Sequence, residues 1–142
     1  MAATVDATSP MAIHPVQAFL LAGTFTLLLA ALLNDIAYWS TYQIQWANFA
    51  SWLIAGGLVL GGIALLFALA GLRHVALRRG RHLVYFLLLL VSGVLGLVNA
   101  LVHARDAWAA MPEGLVLSVV VALLAGAATW LGFSGPRTEG LA

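Results

Sequence analysis

Residues 47–72 read ANFASWLIAGGLVLGGIALLFALAGL, a run without one charged side chain. At 1.5 Å per residue, about 20 residues cross the ~30 Å of hydrocarbon in a bilayer. Three further runs have the same character: Pro15–Ala37, Leu83–Val102 and Gly114–Phe133, and none of the four interiors holds an arginine or a glutamate. Lipid offers the backbone no hydrogen-bond partner, so a spanning segment must be a helix or part of a closed barrel. Runs this long and non-alternating are helical. Pro15 and Pro112 stand near the starts of the first and fourth runs, where a missing N–H costs nothing. The sequence predicts an all-α fold, an integral membrane four-helix bundle. A tail over 1–13 precedes a spanning domain over 14–134, and a second tail covers 135–142.

Composition agrees with lipid as the solvent. Of 142 residues 63% are hydrophobic and 8% charged, against roughly 25% charged in an average soluble domain. A net charge of +1 gives no clustered cationic surface for nucleic acid. The absence of cysteine excludes a disulfide, a thiolate nucleophile, an iron–sulfur cluster and covalently attached c-type haem. Residues 1–15 lack the basic n-region of a signal peptide, so the first run reads as a retained helix.

Arginine sets the expected orientation. The chain has no lysine, and Arg73, Arg78, Arg79 and Arg81 share the loop between the second and third runs. The positive-inside bias puts that loop in the cytoplasm, with both termini and Arg137 on the same side. Tyr38, Trp39, Tyr42, Trp46 and Trp108 then form an aromatic belt at the outer interface. The expected location is the inner membrane of a cell, as a multi-pass protein in contact with the lipid bilayer.

Small residues mark the packing faces. Gly57, Gly61, Ala64, Ala68 and Gly71 form a stripe on the second run, Ser92, Gly96 and Ala100 one on the third, and Ser118, Ala122 and Gly126 one on the fourth. In lipid, close backbone approach replaces hydrophobic burial as the source of helix association. Such stripes either close the bundle within one chain or offer a face to a second copy or a partner subunit.

Polar groups inside a membrane are costly and are the first places to look for function. Asp35 and His103 each lie about 20 residues into helices that run in the same direction, so both reach the outer interface. Asn99 and His103 are four apart and share a helix face. Asn34, Asp35, Asn99, His103, Arg105 and Asp106 can therefore form one outer polar network. Such a network either fixes helix register through an ion pair, or relays protons or holds a metal or a quinone head group. At the inner end, His14, His74 and His82 stand with Gln17 and the loop arginines. Two imidazoles from different helices suit a b-type haem or a divalent metal, and equally suit an interface with anionic lipid. HExxH, CxxC, P-loop and GxSxG signatures are absent, so no catalytic residue is assigned.

Several of these residues carry a family resemblance. The Ile13-His14-Pro15 lead-in, Asp35 closing the first span and the passage Asn99-Ala100-Leu101-Val102-His103-Ala104-Arg105-Asp106-Ala107-Trp108 resemble the four-helix DUF2231-type bacterial membrane proteins. The stretch from Pro112 through Thr129-Trp130-Leu131-Gly132 looks like that family's last helix. The resemblance covers roughly His14 to Gly132 and implies fold and location more than activity. Some members occur with redox proteins, which implies an anchoring or electron-transfer role. The chain departs from many members at Gln17-Ala18-Phe19 and at Ser134-Gly135-Pro136-Arg137, where they carry histidine.

Two expectations follow. The first is a non-enzymatic accessory or anchoring subunit that joins a partner, or another copy in a homo-oligomer, through a small-residue face. The second is a haem b or quinone-interacting subunit that passes electrons to a membrane redox partner.

Overall fold

The computed structural model describes residues 13–74 and 79–134. Its elements are helices α1 (Pro15–Thr41), α2 (Ile44–His74) and α3 (Arg79–His103), the single turn α4 (Ala107–Ala110), and helix α5 (Glu113–Phe133). The four long helices are each long and apolar enough to cross a membrane. No strand occurs among the described residues.

The helices overrun the apolar stretches that predict them. Helix α1 continues past Ala37 to Thr41, and α2 begins at Ile44 rather than Ala47. Polar residues do not end a helix; loss of its backbone geometry does. The hydroxyls of Ser40 and Thr41 donate to the Ala37 carbonyl, and the chain turns only where Tyr42 takes φ 55°. The expected outer loop over 38–46 thus shrinks to Tyr42 and Gln43. At the other end Pro15 occupies the first turn, and the His14 ring accepts a hydrogen bond from the Val16 N–H at 3.3 Å.

The long helices form a four-cornered ring: α1 packs on α2, α2 on α3, α3 on α5 and α5 on α1. Glycines allow the close approach that lipid-embedded packing requires. A Cβ on Gly57 would lie 3.0 Å from Leu28, one on Gly61 3.1 Å from Thr24, and one on Gly96 2.9 Å from Leu58. Ala64 and Ala68 are buried in the same cluster as Leu20, Leu21, Tyr85 and Ala128. A Cβ on Gly71 would meet no other element within 4 Å among the described residues. The outward faces carry exposed leucine, valine, phenylalanine and tryptophan all along the bundle, as a lipid-facing surface should.

Helices α1 and α3 are diagonal, yet two side-chain pairs join them across the bundle. Gln17 Nε2 donates to the Tyr85 hydroxyl at 2.9 Å, and His103 Nε2 lies 2.8 Å from Asp35 Oδ1. Both pairs are 68 residues apart in sequence. The same spacing relates buried Leu21, Thr24, Leu28 and Ala31 to buried Leu89, Ser92, Gly96 and Asn99. It also relates Ala50, Ile54 and Gly57 of α2 to Ser118, Ala122 and Ala125 of α5. The chain is two helical hairpins that repeat one burial pattern. Few of the paired residues are identical, so the sequence shows only matching two-helix layouts. The two diagonal contacts are five turns apart, about 27 Å, close to the hydrocarbon thickness.

Candidate functional site

The site is built where α1, α3 and α5 meet at the His103 end. Asp35 is fully buried, and Asn99 and Ser118 are almost so. The side chain of His103 is 1% exposed. The Ser118 hydroxyl donates to Asp35 Oδ2 at 2.5 Å, and Asn99 Nδ2 donates to Ser118 Oγ at 2.8 Å. His103 Nδ1 lies 2.9 Å from the Asn99 carbonyl oxygen. Four side chains from three helices thus form one closed polar clasp.

Proton counting fixes its electrostatics. A carbonyl oxygen only accepts, so Nδ1 must carry hydrogen. One proton is then shared along the Nε2–Oδ1 axis. Placed on the ring it makes an imidazolium–carboxylate pair; placed on the carboxyl it leaves both groups neutral. The pair has no net charge in either state, which suits burial in a membrane. The remaining unpaired atom of the clasp is Asn99 Oδ1, buried without a donor.

The arrangement does not match a hydrolytic triad. Ser118 donates to the carboxylate and not to the imidazole, so no base is placed to remove its proton. What the geometry does is pin three helices at one end. Neutral hydrogen-bonded replacement is therefore predicted to be tolerated. In Asp35→Asn the new amide nitrogen donates to neutral His103 Nε2, while its oxygen accepts from Ser118. Stability to sodium dodecyl sulfate titration should stay within about 1 kcal/mol of the parent, whereas Asp35→Leu should lose several times more.

Glycine makes room for the clasp. A Cβ on Gly114 would lie 2.8 Å from His103 Cε1, so the first turn of α5 can meet the ring only without a side chain. Ser118 and Gly114 were not grouped with Asp35 and His103 by sequence reasoning. Counting depth on the antiparallel helix puts Ser118, five residues past Glu113, near the level of Asp35, but does not say which face it lies on.

Other expected members lie elsewhere. Asn34 turns away and donates to the Ala30 carbonyl at 2.7 Å. Arg105 is exposed and pairs loosely with Glu113 at 3.6 Å. Asp106 is exposed at the start of α4, where its carbonyl accepts from the Ala109 N–H. Tyr42 stacks on Trp108 with ring centres 5.6 Å apart.

At the opposite end His14 is exposed and His82 half-buried, each three residues before a member of the Gln17–Tyr85 pair. Arg81 donates to the Leu131 carbonyl at 2.8 Å and so caps the end of α5. Among the described residues no three metal-ligating side chains gather. The side chains of Arg73, His74 and Arg79, together with Arg78, Arg137 and residues 1–12 and 135–142 of the tails, lie outside the described residues.

No curated protein and no solved structure matches the chain. Its four spanning helices accord with the comparison that does: residues 10–135 match the family described as a predicted membrane protein, DUF2231, and the chain belongs to that family.

Proposed function

We propose that the chain is a non-enzymatic accessory or anchoring subunit of the inner membrane. The observation that carries this reading is the closed clasp. The buried polar side chains of the Asp35–His103 end bond to one another and leave no group placed to act on a substrate. The lipid-facing surfaces are then what the protein presents. In this reading the arginine-bearing end with Arg81 faces the cytoplasm, following the positive-inside bias, and the clasp lies at the outer edge.

The test uses native mass spectrometry after extraction from the protein's own host in a mild detergent. A second polypeptide in fixed stoichiometry, crosslinked in intact membranes from single cysteines on the lipid face, is expected. A chain that is reproducibly monomeric, with no crosslink from any lipid-facing position, overturns the proposal.

A further inference from the structure

Charge is divided unevenly between the two ends of the bundle. The carboxylates among the described residues, Asp35, Asp106 and Glu113, all stand at the clasp end. No aspartate or glutamate occurs between Asp35 and Asp106, a stretch that includes Arg73, Arg78, Arg79 and Arg81. The opposite end therefore carries cations that the spanning helices do not neutralise.

One of these cations has a fixed place. Tyr85 Cε2 lies 3.5 Å from a Cβ position on Gly132, so α5, which ends at Phe133, stops about level with Tyr85. Helix α3 continues past that level for more than a turn, to Arg79. The two ends form a step. Arg81 stands on the overhang and reaches back across it, where Nη2 donates to the Leu131 carbonyl at 2.8 Å. A guanidinium carries further N–H donors, and among the described residues this one makes no other hydrogen bond. The residue is exposed, so those donors are open to the interface. Toward the hydrocarbon the surface turns apolar: α3 exposes Val84 and Leu87, and α5 exposes Leu123 and Trp130.

We propose that the step between α3 and α5 is a binding site for an anionic phospholipid, with Arg81 holding the headgroup phosphate. Net charge selects this occupant from the rest of the bilayer. A choline headgroup brings its own cation, which competes with the guanidinium for the phosphate; a glycerol headgroup brings none. The bond to Leu131 selects Arg81 from the other arginines. A side chain already held in place loses less rotamer freedom on binding than one that is loose, and a guanidinium fork suits a phosphate better than a point charge does. The exposed apolar residues below the step give the acyl chains a surface to lie on. The site is at the end opposite the clasp and stands whether or not the anchoring role holds.

The probes are dioleoyl phosphatidylglycerol and dioleoyl phosphatidylcholine, titrated into the full chain in a neutral detergent and counted by native mass spectrometry. The first phosphatidylglycerol should bind at least ~5-fold more tightly than the first phosphatidylcholine, about what one arginine contributes at an anionic surface. Arg81→Gln should abolish most of that preference, whereas Arg105→Gln at the clasp end should leave it unchanged. The double variant Arg78→Gln, Arg79→Gln should keep most of it. A loss there as large as in Arg81→Gln makes the effect one of diffuse charge and overturns the site. Diazirine-bearing analogues of the two lipids, crosslinked to the parent chain in nanodiscs, give the answer even if Arg81→Gln does not fold. The phosphatidylglycerol analogue should label residues 83–87 and 130–133 several-fold more than the phosphatidylcholine analogue, and both should label Trp52 alike. Equal labelling by the two analogues at the step overturns the proposal. Displacement of phosphatidylglycerol by an equal concentration of soluble glycerol 3-phosphate also overturns it, because the ligand is then a free phosphate ester and not a lipid.

Discussion

Replacing His103 by alanine is expected to destabilise the bundle by about 3–5 kcal/mol, the usual cost of removing one partner from a buried ion pair. The substitution leaves Asp35 fully buried with Ser118 as its one remaining side-chain donor. It also leaves the Asn99 carbonyl without the ring N–H. Unfolding by sodium dodecyl sulfate in mixed micelles, followed by tryptophan fluorescence, measures the loss. Arg105→Ala is the comparison. That residue is exposed and its contact with Glu113 is long, and exposed pairs contribute about 0–1 kcal/mol. A similar loss in both variants would mean that burial of the clasp carries no special weight.

The second large effect is expected at a residue with no side chain. Gly114→Leu places its branch where the His103 ring now stands, because even a Cβ would lie 2.8 Å from Cε1. The α5 backbone cannot yield cheaply, since Ser118 on the next turn holds it to Asp35. The ring must leave its place, so overpacking is added to the broken clasp and a loss of about 3 kcal/mol or more is predicted. Gly71→Ala is the matched control. Among the described residues no other element lies within 4 Å of its Cβ position, and alanine is the better helix former by about 1 kcal/mol. The same denaturation assay should therefore show Gly71→Ala at or slightly above the parent stability.

These two residues also show what the sequence could and could not carry. The four spans were legible because charge is missing from long runs, and lipid leaves the backbone no alternative to helix. Asp35 and His103 were legible as neighbours because both lie about 20 residues along helices that run in parallel. Depth follows from counting, whereas rotation about the helix axis does not. Rotation is normally read from an apolar stripe, but helices that are apolar all round offer none. Ser118 and Gly114 therefore joined the clasp only once the orientation of α5 was known.

The same limit explains the residues placed elsewhere. Asn34 adjoins Asp35 in sequence but points about 100° away on the helix, where its amide reaches its own backbone. Arg105 and Asp106 follow the end of α3 and are exposed, so water competes for their charges. The repeat at 68 residues was hidden for a related reason. The paired positions share burial but neither identity nor, in two cases of three, size: Thr24 answers Ser92, Leu28 answers Gly96, and Ala31 answers Asn99. That last exchange brings an amide into a place where the other hairpin has a methyl group. Its carbonyl oxygen is the one buried side-chain atom without a partner among the described residues.

The central claim is that Asp35 and His103 act as one closed structural unit, and a double-mutant cycle tests it most directly. Asp35→Leu, His103→Leu and the double variant are compared with the parent by denaturant titration in the same micelles. Each single variant should lose about 3–5 kcal/mol. The double variant, with no stranded charge and apolar side chains in the gap, should recover most of that loss. Losses that simply add in the double variant would contradict the account.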